Sequence, residues 1–282
     1  MSAEQDVKLE NFGSIFSLEG RVAVVTGGSR GLGLHAASGL LQAGCSKVYI
    51  SSRKAKACDE AVAALNALPN KRPGAQDIAI PADGAKVSEI ERLAEEVKKT
   101  TDHVDILVAN AGASWGAPFE GHREKDWDKV MDINVKGVFF LVQKFAPLLE
   151  AKATIEDPSR VIITGSIAGL GLASAEGTNT TFSYAASKAA VIHLGKQLAV
   201  GLGPRHILTN VIAPGFFPSK MSNGLLEMTG GSEFFASASP NLRLGKAEDF
   251  AGLTVFLASR AASHINGAVI TTDGGSLAKG HL

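Results

Sequence analysis

The chain has 282 residues, of which 45% are hydrophobic and 20% are charged, as expected of a folded globular protein with one large or two small domains. Its 28 Lys and Arg residues balance 28 Asp and Glu residues, so the formal net charge is zero. This balance excludes the basic surface that nucleic acids and anionic membranes require, and we expect a small-molecule partner instead.

Residues 1–17 are predicted to form a polar N-terminal arm. Met1 to Glu10 contains three acidic residues and lacks the apolar core of a signal peptide, and the whole chain lacks an apolar run of the roughly 20 residues that a membrane span needs. The two cysteines, Cys45 and Cys58, fall at a predicted strand edge and in a predicted helix, which favours free thiols over a disulfide. These features predict a cytoplasmic protein.

Short β-branched segments alternate with longer helical patterns along the chain. The predicted strands are residues 22–26, 47–51, 76–80, 106–109, 161–164, 208–212 and 269–272, and the predicted helices are residues 32–43, 54–67, 87–100, 125–151, 184–201 and 247–258. This alternation indicates right-handed βαβ units and a parallel sheet. Without a repeat or a linker, residues 18–282 are predicted to be one α/β domain, a Rossmann-type doubly wound parallel sheet of about seven strands with helices on both faces.

The segment VTGGSRGLG, residues 25–33, joins the first predicted strand to the first predicted helix. A nucleotide-triphosphate loop is excluded because Leu34 stands where that motif requires lysine. Gly27 to Gly31 fits the Gly-x-Ser-x-Gly elbow of a serine hydrolase, with Ser29 as nucleophile, although only one strand precedes it. A dinucleotide loop, in which glycines let the backbone approach a pyrophosphate at a helix N-terminus, is the third interpretation.

Four motifs resemble those of the short-chain dehydrogenase/reductase family. They are the Thr-Gly-x3-Gly-x-Gly loop from Thr26 to Gly33, Asn110-Ala111-Gly112 after the fourth predicted strand, Tyr184-x3-Lys188 in a predicted helix, and Pro214-Gly215 after the sixth predicted strand. The resemblance extends over about residues 18–275. Within the family, segments 110–116 and 213–221 are most similar to the 3-oxoacyl reductases associated with rhamnolipid biosynthesis.

The pair Tyr184 and Lys188 suits proton transfer. Residues four apart share one face of a helix, and a neighbouring ammonium lowers the pKa of a phenol toward the range of a general acid or base. The resemblance implies that Ser166 hydrogen-bonds the substrate oxygen and that Asn134 positions the lysine through water. A surface Tyr-Lys pair and a capping serine are the simpler alternatives.

The resemblance also implies a nicotinamide cofactor. Its predicted binding residues are Gly27, Ser29, Arg30, Gly31, Leu32, Gly33, Ser52, Arg53, Asp83, Asn110, Ala111, Gly112, Tyr184, Lys188, Pro214 and Gly215. NAD sites usually place an acid after the second strand, whereas here Arg53 follows it, and Arg30 lies in the glycine loop. Two guanidinium groups beside a 2′-phosphate predict NADP(H), unless both are solvated surface groups. Asp83 is predicted to meet the adenine ring, or to cap a helix.

Two segments are predicted to border the substrate. Residues 172–180 lengthen the stretch between Ser166 and Tyr184 beyond what is usual for the family, either narrowing the entrance or forming a surface insertion. A lid is predicted around residues 215–245, with glycines at 224, 230 and 231 that would let it move. Its apolar residues are Phe216, Phe217, Met221, Leu225, Leu226, Met228, Phe234 and Phe235. They favour an apolar or acyl substrate, or they pack the lid on the domain.

The sequence therefore predicts an NADPH-dependent carbonyl reductase of a 3-oxoacyl or other apolar ketone. A polyol or sugar dehydrogenase of the same family, a cofactor-binding sensor or assembly protein with little turnover, and a serine hydrolase remain alternatives. The seven histidines show no metal-binding spacing, so no metal site is expected. The resemblance further implies a homo-oligomer, a tetramer or dimer, with the helices at 125–151 and 184–201 at an interface.

Overall fold

The computed structural model describes residues 3, 7–9, 11–171, 180–219 and 231–279. Its centre is a sheet of seven strands: β1 (Val22–Thr26), β2 (Lys47–Ser51), β3 (Gln76–Ala79), β4 (Ile106–Ala109), β5 (Ser159–Thr164), β6 (Ile207–Pro214) and β7 (Val269–Thr272). Their order is β3-β2-β1-β4-β5-β6-β7, and every neighbouring pair is parallel. The predicted doubly wound parallel sheet is therefore confirmed.

Helices cover both faces of this sheet. They are α1 (Gly31–Gln42), α2 (Ala55–Asn66), α3 (Val87–Lys98), α4 (Glu124–Met131), α5 (Gly137–Glu150), α6 (Phe182–Leu202), α7 (Ser232–Ala238) and α8 (Ala247–Ala258). One apolar core packs α1, α2 and α8 against the sheet through side chains such as Leu40, Leu65 and Phe250. A second core packs α3, α5 and α6 against the opposite face. Because both faces are covered, the strands are nearly continuous runs of buried residues.

The strand order reverses beside β1, and this reversal locates the site. From β1 the chain adds β2 and β3 on one side, then crosses back to place β4 on the other. In open α/β sheets of this kind a crevice forms at the carboxyl ends of the strands where the direction of winding changes. Thr26 and Ala109 are the last residues of β1 and β4, so the crevice begins at these two positions.

The prediction of one continuous helix over residues 125–151 is wrong. A π-helical turn, Asp132–Lys136, separates α4 from α5. A π turn closes its hydrogen bonds between residues five apart and so accommodates one extra residue, which a helical hydrophobic pattern does not reveal. Asn134, in the middle of this turn, is buried, and its side chain bonds the loop that follows β4.

The ends of the chain and the two predicted border segments are only partly described. Of the predicted arm, the Ile15 carbonyl accepts a hydrogen bond from the Ala261 N–H, and the Phe16 ring lies 6.5 Å from that of Phe256. Residues 172–179 of the predicted insertion and 220–230 of the predicted lid lie outside the described residues. Among the helices of the described ranges, none is both long enough and apolar enough to cross a membrane.

Candidate active site

A cavity of about 760 Å³ opens at the carboxyl ends of β1, β4, β5 and β6. Most of the predicted site residues line it: Gly27, Ser29, Arg30, Gly31, Leu32, Ser52, Arg53, Asn110, Ala111, Gly112, Ser166, Tyr184, Lys188, Pro214 and Gly215. Gly33, Asp83 and Asn134 are not among the lining residues, although Ala82 and Gly84 on either side of Asp83 are. The fold thus brings residues of four sequence motifs together in one cavity, although the first and the last motif lie more than 150 positions apart in the sequence.

The glycine loop leaves its backbone open to a ligand. Gly27 has a φ of +69°, and a Cβ at this position would lie 2.8 Å from Asn110 Nδ2 and 3.0 Å from Ala111 Cα. A Cβ at Gly33 would collide with the Gly27 carbonyl oxygen, so Gly33 lets α1 pack against the loop rather than touching a ligand itself. The side chain of the N-cap residue Arg30 does not cap α1, and the N–H groups at the N-terminus of a helix can bind an anion.

Asn110 holds the three central strand ends together. Its Nδ2 donates to the Thr26 carbonyl at 3.0 Å, and its Oδ1 accepts from the Thr164 hydroxyl at 3.2 Å. The Thr26 hydroxyl oxygen in turn accepts from the Asn110 and Ala111 N–H groups, both at 3.1 Å. The Asn110 side chain therefore shapes the floor of the cavity by joining β1, β4 and β5.

One end of the cavity, which we call the cationic end, is bounded by the exposed side chains of Arg30, Arg53 and Lys54. Between them the Ser52 hydroxyl donates to Ser29 Oγ at 2.8 Å. Of the described residues that line the cavity, none is Asp or Glu. An excess of positive charge next to two helix N-termini fits the phosphates of a dinucleotide cofactor.

Sequence reasoning missed Lys54 at this end. Lys54 precedes α2 as its N-cap residue, and its side chain does not cap that helix. The signal that could have identified it is the pair of adjacent cations, Arg53 and Lys54, shortly after β2. A lysine next to a predicted phosphate-binding arginine is close enough to the end of the strand to line the same cavity. His35, on the second turn of α1, was missed as well: it lines the cavity, and its buried Nδ1 has no hydrogen-bond partner among the described residues.

The opposite end, the catalytic end, contains Ser166, Tyr184 and Lys188. Ser166 follows β5, where its Oγ accepts from the Ala168 N–H at 3.2 Å and is hydrogen-bonded to the Tyr184 phenol. Lys188 Nζ donates to the Thr164 carbonyl at 2.7 Å and lies 5.6 Å from the centroid of the Tyr184 ring. A hydroxyl, a phenol and an ammonium thus meet beside the end of one strand.

Burial dominates the electrostatics of the catalytic end. It raises the pKa of the Tyr184 phenol above its ordinary value, and the hydrogen bond from Ser166 opposes this rise. Burial also lowers the pKa of Lys188 to about 8. The prediction that Lys188 lowers the pKa of the phenol does not agree with this net upward shift, since burial is its largest cause and the Lys188 ammonium donates to the Thr164 carbonyl.

Asn134 supports the catalytic end from behind its wall. Its Nδ2 donates to the Ala113 carbonyl and the Ser187 hydroxyl, both at 2.9 Å, while its Oδ1 accepts from the Ala113 N–H at 2.9 Å. A Cβ at Gly112 would lie 3.1 Å from Asn134 Oδ1 and 3.8 Å from Lys188 Nζ. The side-chain amide is thus bonded to protein groups, and it fixes the loop that borders the lysine.

Aromatic residues after β6 border the catalytic end on its other side. Phe216 lines the cavity, and its ring centroid lies 4.0 Å from that of Phe235 in α7. Phe217 is only 6% exposed and packs edge-on against Phe250, with 6.1 Å between ring centroids. The first residues of the predicted lid are therefore anchored in the core.

Asp83 takes a local role in the structure. Its Oδ1 accepts from the Ala85 N–H at 3.2 Å, which closes a turn before α3. This bond does not cap α3, whose N-cap residue is Lys86, so the capping alternative is wrong; the bond occupies one of the two carboxylate oxygens, and the contact with an adenine ring stays a prediction.

The fold and the site together define an oxidoreductase: the chain belongs to the short-chain dehydrogenase/reductase family. The family model described as "Enoyl-(Acyl carrier protein) reductase" matches residues 27–276. The chain is 42% identical over 260 residues to the rhamnolipids biosynthesis 3-oxoacyl-[acyl-carrier-protein] reductase of Pseudomonas aeruginosa, covering 92% of this chain and 97% of that protein. It is 36% identical over 266 residues to the 2-dehydro-3-deoxy-D-gluconate 5-dehydrogenase of Escherichia coli, covering 94% and 99%.

Solved structures give the same result. The Pseudomonas aeruginosa RhlG/NADP active-site complex superposes with a TM-score of 0.86 at 42% identity, covering 94% of this chain and 99% of that one. The gluconate 5-dehydrogenase of Burkholderia cenocepacia in complex with NADP and tartrate has a TM-score of 0.82 at 28% identity, covering 94% and 98%. The expected resemblance to the 3-oxoacyl reductases associated with rhamnolipid biosynthesis is confirmed.

Family membership overturns the serine hydrolase alternative. In an elbow, part of the oxyanion hole comes from an earlier strand-helix loop, whereas Ser29 follows the first strand of this sheet. Its Oγ accepts a hydrogen bond from Ser52 at the cationic end, whereas Tyr184 and Lys188 lie at the catalytic end.

Proposed function

We propose that the protein is an NADPH-dependent carbonyl reductase that acts on 3-oxoacyl compounds or other apolar ketones. The observation that carries the proposal is the polarity of its cavity, which has exposed cations at one end and, at the other, the buried Ser166 and Lys188 with the half-buried Tyr184. Such a cavity suits an extended ligand that is anionic at one end and reactive at the other.

The cationic end suits the phosphates of NADP(H). The open N-terminus of α1 would bind the pyrophosphate, and Arg30 and Arg53 would bind the 2′-phosphate through charge-assisted hydrogen bonds. Lys54 adds a third cation beside them. Two similar solved structures are named as NADP complexes, and the superposition with this protein includes at least 98% of each of them. Their similarity supports the choice of NADP(H).

The catalytic end would supply the proton. When bound, the nicotinamide supplies two electrons to the carbonyl carbon as a hydride. Tyr184 then gives its phenolic proton to the carbonyl oxygen, and the Ser166 hydroxyl stabilises the negative charge that develops there. A raised pKa keeps the phenol protonated at neutral pH, which is the form that reduction requires. Lys188, held by Thr164, would stabilise the phenolate that remains until it regains a proton from water.

The lining of the catalytic end favours an apolar substrate. Apart from Lys188, the residues near Tyr184 that line the cavity are uncharged; they include Ile167, Phe216 and Pro218. A sugar acid would require a cation for its carboxylate, and at the catalytic end the described lining offers one only in the buried Lys188. The relatives named as sugar-acid dehydrogenases nevertheless make sugar-acid oxidation the second candidate.

One assay distinguishes the two candidates. We expect the purified protein to oxidise NADPH, monitored by nicotinamide absorbance, in the presence of a 3-oxoacyl thioester, with NADH much less effective. Turnover of 5-keto-gluconate but of no acyl thioester would support the sugar-acid alternative. Binding of NADPH without turnover of any ketone would instead favour a sensor or assembly role.

We also propose the assembly that the family resemblance implies and the location that the N-terminal sequence and the cysteines predict. The proposed assembly is a homo-oligomer, a tetramer or dimer, located in the cytoplasm. Its interface would use α6 and the α4-α5 segment, which expose Val200, Trp127 and Phe139. Light scattering on the purified protein tests the assembly, since a monomeric mass would contradict it.

A further inference from the structure

The cationic end contains a hydrogen-bonded chain that leads away from the cavity into the protein. The Ser52 hydroxyl donates to Ser29 Oγ at 2.8 Å, and Cys58 Sγ lies 3.2 Å from the same Ser52 oxygen. Cys58 is fully buried on the first turn of α2, whereas Ser29 and Ser52 line the cavity. The chain therefore joins a buried thiol to two hydroxyl groups at the ligand surface.

The donor and the acceptor of each hydrogen bond in this series can be assigned. A hydroxyl has one proton to donate, and Ser52 donates it to Ser29 Oγ. This oxygen is closer to the Ser52 hydroxyl than Cys58 Sγ is, and it is a stronger acceptor than a sulfur atom. The thiol is then the donor in the remaining contact, to the Ser52 hydroxyl oxygen; the Ser52 carbonyl, 3.6 Å from the sulfur, is a second acceptor for the same thiol. With its oxygen accepting from Ser52, Ser29 has its own proton to donate toward the cavity.

We propose that Cys58 is a positioning residue that sets the preference of this protein for a 2′-phosphorylated adenosine. Its thiol fixes the rotamer of Ser52, and Ser52 in turn orients the Ser29 hydroxyl as a donor between Arg30 and Arg53. The chemistry recognised is a phosphate monoester, which accepts hydrogen bonds and donates none at neutral pH. The inference rests on the proposed use of NADP(H), and it assigns a role to a residue that does not touch the ligand.

The buried thiol is suited to orienting the Ser52 hydroxyl because hydrogen bonds of the backbone hold Cys58 and Ser52 in position. Cys58 N–H bonds the Lys54 carbonyl at 3.1 Å, so the sulfur belongs to the same helical turn that presents Lys54. The Ser52 carbonyl also accepts from the Ala82 N–H at 3.1 Å. Loss of the thiol would leave the Ser52 backbone in place and free only its side chain, which would weaken recognition of the phosphate without disturbing the fold.

The test uses two nucleotides that cannot react, adenosine 2′,5′-bisphosphate and AMP, whose dissociation constants are measured by titration calorimetry on the full chain. For Cys58→Ala we expect binding of the bisphosphate to weaken by about threefold to tenfold, the effect of losing one neutral hydrogen bond, with AMP unchanged. Cys58→Ser retains a donor at this position and should restore the bisphosphate affinity. The KM for NADPH should rise in Cys58→Ala while kcat stays constant.

Cys45 offers a matched control, because it is the other cysteine of the chain, is equally buried, and is not among the residues that line the cavity. Cys45→Ala should leave the ratio of the two dissociation constants unchanged. The inference is overturned if Cys58→Ala leaves that ratio unchanged, if it weakens both nucleotides equally, or if Cys45→Ala changes the ratio as much. Equal binding of the two nucleotides by the unaltered protein would instead overturn the proposed use of NADP(H) itself.

Discussion

The two ends of the cavity hold cationic side chains in opposite environments. Arg30, Arg53 and Lys54 at the cationic end are exposed to water, whereas Lys188 at the catalytic end is 5% exposed and bonded to a backbone carbonyl. Exposed charges attract an anion at little desolvation cost, but salt screens them. A buried charge costs more to maintain and acts more strongly on its neighbours. In the proposed function, cofactor recognition and catalysis would therefore use the same kind of side chain under different solvation.

The largest effect should come from the catalytic end. Tyr184→Phe removes the proton donor and should lower kcat by about 100-fold to 10,000-fold, the usual contribution of a general acid. Binding of NADPH should be unaffected. Steady-state kinetics together with a direct binding titration separate these two effects.

The chain provides a control for that experiment in Tyr49, its other tyrosine. Tyr49 lies in β2, and its hydroxyl contacts Thr100 Oγ1 at 2.8 Å, outside the cavity lining. Tyr49→Phe should leave kcat within about twofold of the unaltered protein and lower stability by about 1 kcal/mol. An unchanged kcat in Tyr184→Phe would remove the phenol from the mechanism.

A smaller effect, dependent on salt, is expected at the cationic end. Replacing Arg30 or Arg53 by Ala should weaken NADPH binding by about tenfold to a hundredfold, because each guanidinium would form charge-assisted hydrogen bonds to the phosphate. NADH binding and kcat should change little. The measurement is the ratio of dissociation constants for NADPH and NADH at low and high ionic strength.

If these arginine variants changed kcat more than the dissociation constant for NADPH, the proposed division between a binding end and a catalytic end would be wrong. Arg72→Ala is a suitable control, because Arg72 forms its ion pair with Glu19 and does not line the cavity. It should leave the NADPH to NADH ratio unchanged at every salt concentration.

The smallest effect on activity is expected for a buried ionisable group outside the cavity, whose titration changes stability and not catalysis. Asp77 in β3 is 3% exposed, neither carboxylate oxygen has a hydrogen-bond partner in the part of the chain that the structure describes, and burial raises its pKa to about 8. The unfolded carboxyl titrates near 4, so between about pH 4 and pH 8 the native state binds more protons than the unfolded state. The free energy of unfolding should fall with rising pH across this window by about 1.4 kcal/mol per unit, and Asp77→Asn should remove that slope.

Urea unfolding at several pH values between 5 and 8 measures this slope. Asp59→Asn, on the exposed face of α2, is the control and should follow the unaltered protein. The same slope in Asp77→Asn and the unaltered protein would mean that water or a cation reaches the Asp77 carboxyl. Because the backbone of Asp77 is bonded on both sides by Asn66, the Asn variant keeps the strand edge intact.

Local sequence signals were sufficient for the strands, the glycine loop and the residues that line the catalytic end. Strand-ending motifs such as Asn110-Ala111-Gly112 identify positions that a parallel sheet must bring to one edge. The π turn at Asn134 was not predictable, because its extra residue is stabilised by a bond to Ala113 across the fold. The direction of the Tyr184 pKa was not predictable either, because the spacing of two residues carries no information about burial.

The π turn between α4 and α5 has a consequence for insertions and deletions. Each residue of an α-helix turns the chain by about 100°, so removing one residue from Asp132–Lys136 to restore a regular helix would rotate α4 by that angle relative to α5. Asn134 would then face away from Ala113 and Ser187. The contacts of Asn134 at the catalytic end thus require this turn to keep its length, although no residue of α4 lines the cavity. A deletion of one residue at this turn in a related sequence would indicate that the lysine equivalent to Lys188 is supported by other contacts.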